Sequence, residues 1–133
     1  MKESVEDRSR IMRAVKSRDT GPELAVRRLL HAMGYRFRLH RSDLPGKPDI
    51  VLPGRQKVIF VHGCFWHGHS CARGAREPVN NASYWRAKIE RNRTRDSACL
   101  LQLRAIGWKT LVIWECRLKG EARAETRLRR FLR

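Results

Sequence analysis

Three histidines and two cysteines fall within the ten residues from His62 to Cys71, HGCFWHGHSC, and the stretch that continues to Asn81 has neither helical nor strand periodicity. Packing alone does not order such a segment, so bound metal is the natural candidate. Cys64, His69 and Cys71 offer three soft or borderline donors, and Cys116, beyond the last apolar run, completes a closed tetrahedral set for a structural Zn²⁺. A rival set exchanges His69 for Cys99. It ranks lower because Cys99 falls beside Leu100 and Leu103 on a helical stripe, where a small thiol packs well. Zinc leaves His62 and His67 for other work.

The remainder of the 133 residues reads as one α/β domain, 1–133, with residues 1–18 forming an N-terminal arm or helix. Thr20-Gly21-Pro22-Glu23 has capping-box spacing with proline in the first turn, and the apolar pattern that follows stops at Gly34. Tyr35, Phe37 and Leu39 alternate with Arg36 and Arg38, which predicts a half-buried strand. Residues 49–52 and 57–62 flank Pro53-Gly54 and read as an antiparallel hairpin, the second arm buried on both faces at the centre of the sheet. From Ser83 to Ile106 a long helix places Trp85, Ile89, Asn92, Asp96, Cys99 and Leu103 on one stripe, and Gly107 ends it. Trp108 to Trp114 is a further buried strand, and 121–133 a basic amphipathic helix. The sum is a mixed sheet flanked by helices.

Lys and Arg number 30 against 13 Asp and Glu, a formal charge of +17, which calls for a polyanionic partner. The longest buried-looking runs, Val58 to Val61 and Leu111 to Trp114, are too short to span a bilayer, and MKESVEDRSR lacks the apolar core of a secretory signal. The expected setting is the cytoplasm, near the nucleoid.

The hairpin brings Asp49 close to Val61 and His62. A carboxylate, a strand-end carbonyl and imidazoles at one edge suit a hydrated Mg²⁺ and proton transfer to or from water, the parts of a phosphodiester hydrolysis site. Asp96, mid-helix on the inward stripe, can orient a histidine as the third member of a triad does. Glu23 divides evenly between capping and an active-site carboxylate. Phe65, Trp66 and Trp85 are aromatics that can enter a base step, favouring mismatched duplex, with Met12 pressing from the other side. A zinc-stabilised DNA-binding protein without catalysis is the competing reading.

The runs Pro45-Gly46-Lys47-Pro48-Asp49, Phe60 to Cys71, Tyr84-Trp85 with Lys88-Ile89, Asn92 and Arg95-Asp96, and Gly107-Trp108 with Val112 to Cys116 resemble the very-short-patch repair (Vsr-type) DNA mismatch endonucleases. Met12-Arg13-Ala14 and Asp19-Thr20 fit the same pattern. The resemblance spans roughly residues 8 to 120, and HGCFWH is its most specific part. It implies the restriction-endonuclease-like fold, with the usual second carboxylate and lysine replaced by a backbone carbonyl and histidines. It also implies a monomeric enzyme that nicks 5′ of the T in T:G mismatches left by 5-methylcytosine deamination, alongside other mismatch-repair proteins. By position, Asp49 and the Val61 carbonyl would hold Mg²⁺, His62 and His67 would assist hydrolysis with Asp96 behind His67, and Glu23 would lie at the site's edge. Cys64, His69, Cys71 and Cys116 would bind zinc, while Phe65, Trp66, Trp85 and Met12 would enter the DNA.

Overall fold

The computed structural model describes residues 20–64, 81–118 and 122–133. Helix α1 spans Gly21–Ala32, strand β1 Arg38–Leu39, β2 Ile50–Leu52, β3 Lys57–His62, helix α2 Ala82–Ala105, β4 Lys109–Trp114 and helix α3 Ala122–Leu132. The strands form one sheet in the order β1-β2-β3-β4. The first two pairings are antiparallel and β3 runs parallel to β4. A parallel neighbour demands a crossover, and α2 is that crossover.

Both faces of the sheet are covered, which is why β2 and β3 read as unbroken apolar runs. On one face Ile50, Leu52, Ile59, Val61 and Ile113 pack with Val26 and Leu30 of α1 and Leu128 and Leu132 of α3. On the other, Val51, Val58, Phe60 and Leu44 pack with Leu103 of α2. The inward stripe of α2 has the predicted phase, from Trp85 through half-buried Asn92, Asp96 and Cys99 to Leu103.

Three expectations change. The strand predicted over 35–39 pairs only at Arg38 and Leu39, because its partner β2 is three residues long between Pro48 and Pro53. Tyr35 and Phe37 still pack against the core. The hairpin arms meet where expected, at Leu52 and Lys57, but the connection is a 3₁₀ turn at Pro53–Arg55 with Gln56 left-handed at φ 52°, and not a simple Pro-Gly turn. The last strand starts at Lys109 and is largely half-buried, as befits its place at the sheet edge. No helix among the described residues is long and apolar enough to cross a membrane.

Candidate active site

The site lies where β1 ends, β2 begins and β3 ends. Thr20 caps α1, its Oγ1 accepting the Glu23 N–H at 3.3 Å, and this first turn aims the Glu23 side chain inward, where it is 2% exposed. The capping-box reading of that carboxylate gives way to another role. Its Oε2 accepts from the Arg27 guanidinium at 3.0 Å and lies 3.0 Å from His40 Nε2. Glu23 is therefore inside the acidic cluster, and not at its margin.

Asp49 is placed by backbone. The His40 N–H donates to the Asp49 carbonyl at 3.3 Å, carrying the β1–β2 pairing one step past Leu39 and Ile50. Asp49 Oδ2 accepts the Val61 N–H at 2.7 Å, which ties the carboxyl to the end of β3 as the hairpin argument required. The loop before it is held close to α2: Gly46 has φ +77°, and a Cβ there would lie 2.9 Å from Cys99 Cβ and 3.0 Å from its Sγ. Cys99 thus packs beneath the loop.

Among the described residues, one group of His, Cys, Asp and Glu side chains has ligand atoms mutually within 4.8 Å: Glu23, His40 and Asp49. Burial, chiefly, pushes the Asp49 carboxyl up to about 7. The neighbouring Glu23 adds to the rise, while the Val61 N–H and the Arg27 charge oppose it. Two carboxylates this close, Glu23 buried and Asp49 half-buried, resist ionising together, and a bound cation relieves them. Two oxygens and an imidazole nitrogen form a donor set that fits a divalent metal ion.

His62 is outside that group. It is 6% exposed, its ring meeting Trp114 edge-on at 5.1 Å and tilted to Phe60 at 5.7 Å. Its backbone neighbour Val61 brings it to the same strand end. Trp85 was expected as an exposed wedge and is instead 4% exposed, because its place on the inward stripe of α2 turns it to the core; Tyr84 beside it, ring centroids 4.9 Å apart, is exposed. The Cys116 N–H donates to Cys64 Sγ at 3.4 Å, so two of the four predicted zinc ligands meet across the ends of β3 and β4. Asp96 is half-buried on its stripe. Met12, Phe65, Trp66, His67, His69 and Cys71 lie outside the described residues.

His40 and Arg27 are site residues that sequence reasoning missed. The available signal was register: a strand ending at Leu39, paired antiparallel with one that starts after Asp49, sets residue 40 opposite Asp49.

The fold is that of a known nuclease domain. The catalytic domain of the homing endonuclease I-Bth0305I superposes with a TM-score of 0.59 at 19% identity, covering 85% of this chain and 94% of that one. The mixed sheet with flanking helices, and a carboxylate pair beside the strand ends, fit the class of restriction-endonuclease-like folds. Within it, the model of the DNA mismatch endonuclease Vsr family matches residues 2–73. The chain is 54% identical over 129 residues to the type II nicking enzyme V.XorIIP of Xanthomonas oryzae, covering 97% of this chain and 94% of that protein. It is 44% identical to V.NmeAIP of Neisseria meningitidis over 95% and 89% of the two chains, and 42% identical to the DNA mismatch endonuclease Vsr of Escherichia coli over 85% and 72%. The chain belongs to the Vsr family of DNA mismatch endonucleases.

Proposed function

We propose that this protein is a Mg²⁺-dependent endonuclease that nicks duplex DNA 5′ of the T in T:G mismatches arising from 5-methylcytosine deamination, the first step of very-short-patch repair. The observation that carries the reading is the pairing of buried Glu23 with half-buried Asp49, Asp49 being tied to the Val61 amide at the end of β3. Relatives named as nicking enzymes support single-strand cleavage. The charge of +17 supports a DNA substrate.

Asp49 and the Val61 carbonyl would hold the metal, with Glu23 beside them. Mg²⁺ supplies positive charge against the phosphorane-like transition state and a source of acidified water. Arg27 offsets the Glu23 charge, leaving the site close to a single uncompensated carboxylate. His62 would take or return a proton at the scissile phosphate, and His67, supported by Asp96, would share that work. His62 is held edge-on against Trp114, which fixes its ring plane. Zinc on Cys64, His69, Cys71 and Cys116 would staple the loop that carries His67, and the Cys116 N–H bond to Cys64 Sγ, which brings two of those four residues together, supports that set. Phe65 and Trp66 would enter the DNA at the mismatch with Met12 opposite. Burial of Trp85 makes it a support for that wedge.

The test is strand nicking of a duplex with one T:G mismatch against its T:A and C:G counterparts, with Mg²⁺ and with chelator. The expected result is a single nick 5′ of the mismatched T that needs metal. A shifted band with intact strands would establish a binding protein without catalysis, and equal cleavage of matched duplex a general nuclease.

A further inference from the structure

We infer that His40 is a ligand of the catalytic metal, which makes the site a mixed nitrogen–oxygen centre that prefers Mn²⁺ to Mg²⁺. This rests on the metal-dependent reading above and extends it, because the sequence assigned the ion to Asp49 and a backbone carbonyl alone.

The argument starts from distance. His40 Nε2 and Glu23 Oε2 are 3.0 Å apart, and an Asp49 oxygen completes a triangle with every side within 4.8 Å. Two adjacent ligands about 2.1 Å from an octahedral ion sit about 3 Å apart, so this pair already has the spacing of neighbouring coordination positions. A hydrogen bond has the same length, so the 3.0 Å distance is shared by the two roles, and the state of the other ring nitrogen bears on both. Histidines committed to donating from Nε2, or to ligating through it, are ordinarily fixed by a partner on Nδ1. His40 Nδ1 is buried with no hydrogen-bond partner in the structure. The structure therefore fixes neither tautomer, and the one with its proton on Nδ1 presents the Nε2 lone pair to a cation.

Position points the same way. The His40 backbone is left-handed at φ 48° while its N–H still bonds the Asp49 carbonyl, so the side chain leaves the sheet edge beside Asp49 and meets Glu23. Its side chain is 15% exposed, so it is largely shielded from water yet not sealed from it. The chemistry follows from the donor type. Carboxylates and waters suit Mg²⁺, whereas imidazole adds affinity for borderline transition metals, so a nitrogen ligand raises Mn²⁺ affinity more than Mg²⁺ affinity.

The test is direct binding of Mn²⁺ by the full chain, read by EPR titration and by pulsed EPR for coupling between the bound ion and imidazole nitrogen. The wild type should show that coupling and bind Mn²⁺ more tightly than Mg²⁺. His40→Gln, and independently His40→Ala, should lose the coupling and weaken Mn²⁺ by about tenfold or more while moving Mg²⁺ far less. Circular dichroism checks that each variant is folded. Should one variant fail to fold, the other and the wild-type spectrum decide. No nitrogen coupling in the wild type, or unchanged coupling and affinity in a folded His40 variant, would overturn the inference and leave His40 as a hydrogen-bond donor to Glu23. Asp49→Asn separates the two readings: undiminished Mn²⁺ binding in that variant would sink the metal site itself, whatever His40 does.

Discussion

The two ends of strand β3 bury charge in opposite ways. At its start Lys57, 7% exposed, donates to the carbonyls of Phe131 at 2.6 Å and Arg133 at 3.1 Å, and Arg55 donates to that of Leu132 at 3.1 Å. These are the last carbonyls of α3, the negative end of its dipole, so cation meets partial negative charge and the helix is closed. At the other end half-buried Asp49 lies against buried Glu23. One end satisfies its charges within the chain; at the other Arg27 and His40 pair with Glu23, and Asp49 keeps a raised carboxyl that a proton or a cation from outside relieves. Arrangements that spend stability on a poised site are the mark of function.

The sharpest way to break that comparison is Asp49→Asn. Asparagine still accepts from the Val61 N–H and can donate to Glu23, so it removes the conflict and the metal ligand together. Nicking should fall to background. The metal-free variant should nonetheless be more stable than wild type at pH 8. The sign follows from Asp49, raised from 3.8 to about 7: the folded state binds the extra proton, so stability is fully present below pH 3.8 and is lost as pH rises through about 7. Melting curves from pH 5 to 8 should show the wild type losing up to a few kcal/mol and Asp49→Asn staying flat over that range. Divalent metal should restore the wild type at pH 8. A wild type that melts equally at both pH values would show that the acidic end carries no strain.

The opposite end should respond in the reverse sense. Lys57→Ala leaves three carbonyls with one cation and empties a buried site, so it should cost about 2–3 kcal/mol in denaturant unfolding at any pH between 5 and 8. Mn²⁺ affinity should not change. Loss of metal binding in a folded Lys57→Ala protein would mean the two ends are coupled through β3.

Which parts of this were legible in the sequence follows from range. The cap at Thr20, the hairpin arms, the stripe of α2 and the left-handed Gly107 at its end are local patterns, and the structure repeats them. Asp49 could be placed against Val61 because a hairpin converts sequence into register. His40 was not placed, because the loop over residues 40–49 separates β1 from β2 and no tight turn fixes their register, which the structure sets at Leu39 opposite Ile50. Arg27 looked like one more surface arginine among thirty Lys and Arg, and only burial of Glu23 four residues earlier gives it a partner. Trp85 shows the converse. Its stripe position already implied burial, and a wedge role asks for exposure.

The smallest effect tests how much of the acidic end is architecture. Thr20 holds the Glu23 backbone N–H, but the Glu23 carboxylate is held separately by Arg27 and His40. Thr20→Ala should therefore cost about 1 kcal/mol, the usual worth of such a cap. The slope of stability against pH should stay that of wild type, because burial and the Asp49–Glu23 proximity that set it remain. Stability measured at pH 5 and pH 8 separates the contributions: a loss equal at both values assigns the cap to the fold alone. A loss at pH 5 that shrinks or vanishes at pH 8 would mean that the first turn of α1, and not the side-chain pairing, is what forces the two carboxylates together.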